Sequence, residues 1–273
     1  MKPLSDSIVH APAGIPACIH EALHPVGCVL PGDLTAAEDW LRRQGCTRAL
    51  GPMSGSTWLP YRANLGPTVE PVFHGEPSTA PETLLAAGYQ PVSHYTSTAC
   101  DHAPQIALAD QVAPTLLAAG WRLGTLADLG EPAAALQALH SLVLAAFRDA
   151  FAYVPLHIHD FAGLYGGAGS RSDPALVLVA HAPDGTLGGL CFCFRDPLLA
   201  DPARLVVKTL AVHPGWRRKG VGQWLVGEAH RVARARGYAY GIHALMWARS
   251  QSQRITAHGG RVVRRYALYG KDL

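Results

Sequence analysis

The chain has 273 residues, 49% of them apolar and 16% charged, which suits one large or two modest domains with buried cores and excludes a disordered chain. Its net charge of +3 is unevenly spread: Leu205 to Lys271 holds about a dozen Arg and Lys against one acid, Glu228, and the remainder is acidic on balance. The aromatic interleaving of a nucleic-acid reader is missing, no apolar run has membrane-spanning length and no signal peptide is visible, so a cytoplasmic protein binding neither nucleic acid nor membrane is expected.

Residues 1 to 32 contain several prolines and no sustained period, and are expected to be irregular. Asp33 or Thr35 can cap a helix running through Trp40 to Gln44, with Gly45 just past its end. A short strand, Thr47 to Gly51, follows, then a helix ending Leu-Leu-Ala-Ala-Gly88 and an alternating strand, Tyr89 to Thr98. Thr98 to Gln111 is polar, Pro-containing and aperiodic, and reads as a boundary between lobes 1–110 and 111–273. Beyond it come a strand (Trp121 to Ala127), helices at Pro132 to Phe151 and His159 to Tyr165, and a hairpin of Leu176 to Ala182 and Leu187 to Arg195 across Pro183-Asp184-Gly185. A buried strand (Leu205 to His213), an amphipathic helix (Val221 to Arg236), a strand (Tyr238 to Met246), a short helix (Ser250 to His258) and a last strand (Val262 to Tyr269) complete the order. Six cysteines show no C-x-x-C pair, and Cys191 and Cys193 fall on one strand face as small buried thiols, so no metal or redox site is expected.

The stretch LVVKTLAVHPGWRRKGVGQWLVGEAHRVARARG, residues 205 to 237, joins a buried strand to a helix through a basic, Gly-containing turn. A helix start offers unpartnered N–H groups and partial positive charge, so an anion is held there by donors and dipole together. Gly220 and Gly222 let a phosphate approach the backbone, and Arg217, Arg218 and Lys219 add full charges. The loop is neither a P-loop nor a dinucleotide fingerprint. Read without further context, it is also compatible with an ordinary strand-to-helix turn carrying surface arginines.

R-x-x-G-x-G from Arg217 to Gly222, after a strand ending Leu-Ala-Val-His-Pro, resembles the acyl-CoA motif of the GNAT superfamily of N-acetyltransferases, and the βααβββαβαβ order of residues 121 to 270 is similar to that family's. The resemblance implies an α+β fold with a mixed, mostly antiparallel central sheet flanked by helices. The run Gly-Pro-Met-Ser-Gly-Ser-Thr-Trp and the pair Glu76-Pro77 resemble, more loosely, two-lobed bacterial relatives, which implies a smaller, degenerate GNAT-like lobe at 1–110. It further implies that the backbone of Leu210, Ala211 and Val212 meets the pantetheine arm. The amides of Arg218, Lys219, Gly220, Val221, Gly222 and Gln223, with the Arg217 side chain, would meet the pyrophosphate. Ser252 stands at the start of the helix that carries an asparagine in many relatives.

The family's usual proton-transfer groups are missing: Leu205 to His213 contains no acid, and Thr256 to His258 replace the expected tyrosine. His258 of that helix, or Tyr266 and Tyr269 of the last strand, are candidate replacements. Tyr153, His157 and His159 lie in the link between the first two helices, which borders the acceptor site in this family; Tyr153 and His157 are candidate acceptor contacts and His159 a candidate base. The His157-x-His159-Asp160 run lacks a distant ligand pair with zinc spacing, and Asp160 also suits a helix start, so no metal is assigned. The expected function is N-acyl transfer from acyl-CoA, acetyl-CoA in the simplest case, to a small-molecule or peptide amine. The alternatives are a non-catalytic acyl-CoA-binding protein and an acyltransferase acting on a hydroxyl or a carrier-bound substrate.

Overall fold

A computed structural model of the chain describes residues 1–66, 70–169 and 173–273. The first half contains helix α1 (Leu4–Ser7), strands β1 (Ile8–His10), β2 (Ala17–His20) and β3 (Val26–Val29), and helix α2 (Leu34–Arg43). Strands β4 (Arg48–Gly51) and β5 (Ala63–Asn64), helix α3 (Glu82–Ala86), strand β6 (Gln90–Cys100) and helix α4 (His102–Ala118) follow. The second half runs through β7 (Arg122–Thr125), α5 (Pro132–Phe147), α6 (Ile158–Gly169), β8 (Val177–His181), β9 (Leu187–Arg195) and β10 (Arg204–Val212). It ends with α7 (Val221–Ala235), β11 (Tyr240–Trp247), α8 (Gln251–Thr256) and β12 (Gly260–Asp272).

Local chemistry accounts for several boundaries. The Asp33 carboxylate accepts from the Ala36 amide at 3.0 Å and starts α2, and Gly45 takes a left-handed conformation (φ 80°) just beyond that helix. Asp184 accepts from the Thr186 amide at 2.9 Å, closing the β8–β9 turn.

Among the described residues twelve strands form one sheet in the order β1-β2-β3-β4-β12-β6-β11-β10-β9-β8-β7, with β5 paired to β12. Of these described pairs, β3–β4 and β10–β11 are parallel and the others antiparallel. Alternation along β8, β9 and β10 separates two of the molecule's apolar clusters, one on each face. Leu178, Ala180, Cys191, Cys193, Leu205 and Val207 pack with α7, whereas Val177, Val179, Leu190 and Phe192 pack with Leu142, Val143 and Phe161 of α5 and α6. Helices therefore cover both faces. The thiols of Cys191 and Cys193 are buried side by side, 3.5 Å apart, on the α7 face.

Two stretches differ from the sequence expectation. Residues 1–32 supply three strands that extend the sheet, too short to show a period between prolines. Residues 98–111, read as a boundary, finish β6 and enter α4, a 17-residue helix whose buried side includes His102 and Gln105 as well as Ile106, Leu108 and Ala109. Polar residues on the buried face hid the helical period. Packing is tight there: a Cβ on Gly227 of α7 would lie 2.3 Å from the Cβ of Ala109, so only glycine lets the two helices approach so closely.

The sheet also runs unbroken across residue 110. β6, from the first half, lies between β11 and β12, while β12 pairs along its later residues with β4 and β5. A buried ionic cluster fastens the two halves near the same place. Arg204, 0% exposed, bonds Asp196 at 2.8 Å and Glu70 at 3.0 Å, and donates to the carbonyls of Pro71 and Val72. Removing one member of such a buried pair leaves a charge without compensation. Asp196→Ala is expected to lower unfolding free energy by about 3–5 kcal/mol in urea titrations. The exposed Lys2–Glu21 pair provides the control, and Glu21→Ala is expected to cost less than about 1 kcal/mol.

Candidate acyl-transfer cleft

The parallel ladder of β10 and β11 runs from Arg204↔Tyr240 to Val207↔His243 and stops, although the strands continue to Val212 and Trp247. Lys208 is the extra residue of a bulge, since the register of β10 on β9 shifts between Val207 and Thr209. β11 has its own irregularity between His243 and Met246, and Leu245 there is left-handed (φ 58°). Side chains satisfy the Leu245 backbone: its N–H donates to Ser97 Oγ at 3.0 Å and its carbonyl accepts from Arg62 Nη1 at 3.0 Å. The two strands splay, and the gap opens into a cleft of about 1210 Å³.

One end of the cleft is the start of α7. His213 Nδ1 accepts from the Gly215 amide, a 3₁₀ turn covers Pro214–Trp216, and the chain then turns through left-handed Arg218 (φ 62°) and Gly220 (φ 87°). Gly220 is required twice, by its φ and by Val112, whose Cβ lies 3.0 Å from the position of a Cβ at 220. No side chain caps α7, and among the described residues none accepts from the amides of Arg218 to Gln223. These donors, with Arg217, Arg218, Gly220, Gly222 and Gln223 lining the cleft, make a cradle of unpaired N–H groups and positive charge of the kind that can hold an anion.

The other end is built around the bulge. Lys208 faces the water of the cleft but is walled by protein, and desolvation, then the nearby Arg62 charge, bring its ammonium down to about 8. Arg62, left-handed at φ 74°, has its guanidinium 3.8 Å from the Tyr61 ring centroid and 4.1 Å from that of Tyr95; burial lowers it to about 10. Glu76, its side chain 1% exposed, lines the same region, paired with Arg264 and accepting from the Tyr266 hydroxyl at 2.6 Å. Ser97 Oγ lies 3.1 Å from the same hydroxyl, so Glu76, Tyr266, Ser97 and the Leu245 amide form one hydrogen-bonded chain.

Residues 136–258 match the sequence profile of the Acetyltransferase (GNAT) family. These residues are a GNAT domain. Solved structures of similar fold include a GCN5-related N-acetyltransferase from Sphaerobacter thermophilus, with TM-score 0.55 and 16% identity over 94% of this chain and 79% of that one. A tandem GNAT protein from the clavulanic acid biosynthesis pathway has TM-score 0.52 and 15% identity over 94% and 77%. A GCN5-related glucosamine N-acetyltransferase region of a fungal multi-domain β-N-acetylglucosaminidase has TM-score 0.53 and 14% identity over 90% of this chain and 29% of that one. At these identities the likeness is one of fold, and it fits a two-lobed arrangement. No functionally curated protein matches the chain. The GNAT fold supports acyl-CoA-dependent acetyl transfer in general terms.

Within the GNAT domain the residues expected from sequence separate. Leu210, Val212, Arg217, Arg218, Gly220, Gly222, Gln223, Ser252, His258 and Tyr153 line the cleft. The side chains of Ala211 and Val221 point into the core, which leaves their roles to the backbone. Arg217 is already engaged: it donates to the Ala146 carbonyl at 2.5 Å and lies 3.6 Å from Asp149, tying the loop to the end of α5. Lys219 stacks its ammonium on Trp216 at 4.4 Å, away from the lining. Neither His157 nor His159 lines the cleft; His157 Nδ1 accepts from the His159 amide and the His159 ring is exposed. Tyr266 is fully buried behind Glu76, and burial, then that hydrogen bond, raise its hydroxyl far above the usual range, so it holds its proton. His258 sits at the rim with Nδ1 3.2 Å from the Arg254 carbonyl.

Sequence reasoning missed Lys208, Arg62, Glu76 as a cleft residue, and His243. For Lys208 a signal existed, because it is the single charge inside Leu205 to His213. His243 lines the cleft and ends a chain of three buried rings. His102 Nε2 donates to the Tyr238 carbonyl at 2.9 Å, which assigns His102 Nδ1 as acceptor from His230 Nδ1 and His230 Nε2 as acceptor from His243 Nε2, each at 2.9 Å. Burial lowers all three, His243 to about 4 and His230 well below the usual range. The folded protein keeps them neutral while the unfolded chain takes up protons from about pH 6.5 downward. Stability from this chain is therefore full above that pH and is lost as pH falls toward the folded values. Urea unfolding between pH 7.5 and 5 is expected to lose about 1.4 kcal/mol per pH unit for each histidine protonated on unfolding, and His243→Gln to shallow the slope by one proton.

Proposed function

We propose that the protein transfers an acyl group, acetyl in the simplest case, from acyl-CoA to an amine by direct attack on the thioester. One observation carries this reading: a strand edge freed by the β10–β11 splay runs straight into an uncapped, glycine-relieved helix start within a single cleft. Acyl-CoA supplies the activated acyl group. The amides of Arg218 to Gln223 would hold its diphosphate, and the open edge of Thr209 to Val212 would pair with the amides of its arm. The 1–110 lobe supplies Tyr61, Arg62, Glu76 and Tyr95 to the acceptor end, so selecting the acceptor falls to it.

The proton balance is assigned to Lys208. Because its ammonium titrates near 8, a useful fraction is neutral at mildly alkaline pH and can take the proton released when the amine adds to the carbonyl. As the C–S bond breaks, the same ammonium can return that proton to the departing thiolate. Lys208 would thus take the part that a carboxylate on the central strand plays in many members of the family.

Gly222 faces Leu210, Val212 and Ile255 across the gap, and a Cβ at position 222 would lie 3.5 to 3.6 Å from each, so a longer side chain would fill the path of the arm. In calorimetry with acetyl-CoA, Gly222→Leu is expected to bind at least about tenfold more weakly, with the thermal midpoint kept because leucine is the better helix former. In a thiol-release assay over an amine panel, kcat should rise through about pH 8 and level off, the direction set by deprotonation of Lys208. Lys208→Met should remove that inflection and cost about 100-fold or more in kcat at unchanged acetyl-CoA affinity. An inflection that survives the substitution would move the proton-transfer role elsewhere.

A further inference from the structure

Resting on the acyltransferase reading, we propose that the acceptor carries a carboxylate beside its reactive amine and that Arg62 receives it. Arg62 is 6% exposed, lines the cleft, and has no acidic partner among the described residues. Its Nε is buried without an acceptor among those residues. An ion so placed is ordinarily paired, since desolvation of a lone charge is costly. The other buried arginines described in this protein follow that rule: Arg204 is held by Asp196 and Glu70, and Arg264 by Glu76. Arg62 alone of the three lacks a carboxylate, and the one in its neighbourhood, Glu76, is committed to Arg264 and Tyr266.

The geometry narrows what the missing partner is. Tyr61 and Tyr95 lie against the guanidinium, and Nη1 is held by the Leu245 carbonyl, so the plane is fixed and the Nε–Nη2 edge is the one without an acceptor among the described residues. An arginine edge takes a flat carboxylate through parallel N–H bonds. The site lies at the splay, beside the bulge that carries Lys208, and so at the end of the cleft away from the α7 cradle. Lys208 also lacks an acidic partner among the described residues, and the Arg62 charge acts on it, so this end of the cleft has surplus positive potential of its own. Both Arg62 and its bonding partner Leu245 are non-glycine residues in the left-handed region, a cost that functional positions retain.

The test uses product-like ligands and needs no turnover. The full-length protein loaded with CoA is titrated calorimetrically with a panel of N-acetylated amino acids and with their carboxamides, which differ only in the negative charge. At least one acid is expected to bind about tenfold or more tightly than its amide. Arg62→Met should abolish that preference and Arg62→Lys restore part of it, while CoA affinity, measured first on each variant, reports that the cleft is intact. If CoA binds but acids and amides bind alike, or neither binds, or the preference survives Arg62→Met, the inference is overturned and the acyltransferase reading stands. If CoA itself fails to bind the unaltered protein, both are overturned.

Discussion

The cleft depends on what holds β10 and β11 apart. Two parallel strands that have begun to pair gain a hydrogen bond with each further step, so a ladder that stops needs a cause. Here the cause is chemical. Leu245 has given its N–H to Ser97 and its carbonyl to Arg62, so β11 has nothing to offer its neighbour at that point. Lys208 adds a residue to β10 at the matching level and turns the strand away. Both side chains that occupy Leu245 come from the first hundred residues, so the opening in the GNAT domain is kept by a part of the chain outside the matched family segment.

Charge is distributed along the cleft in two groups with different counterparts. Near α7, backbone donors and Arg218 face the lumen while Arg217 braces the loop against α5, so the cradle relies on amides more than on guanidinium groups. Near the bulge, charge comes from Arg62 and Lys208 on a background of neutralised pairs. The protein's interior otherwise matches its cations closely, as Arg204 shows, which makes the uncompensated corner informative about the ligand.

Much of the GNAT domain was legible because its strands and helices repeat on their own: the Leu205 to His213 strand, the α7 stripe and the Pro-Asp-Gly turn all announce themselves locally. The cradle was legible for the same reason, since it is contiguous from Arg217 to Gln223. The acceptor end was not. Arg62, Glu76, Lys208 and Tyr95 are far apart in the chain, and only the path of the sheet brings them together. α4 was lost because His102 and Gln105 occupy buried positions where a periodicity reading expects apolar residues. His157 and His159 attracted attention by their chemistry, yet α6 leaves them outside the cleft lining; residue type alone could not reveal that.

The position of β6 between β11 and β12 has a kinetic side. A strand made early must wait for neighbours made much later, because the slot that receives it does not exist until residues 240–272 have left the ribosome. Until then β6 presents two unsatisfied edges, a species that invites association with other nascent chains. Separate production of the two halves would leave each with a vacant seam, whereas mixing them offers a route to reassembly by complementation. The bond between halves is thus a matter of interlocked architecture, and a tether of covalent backbone is the lesser part of it.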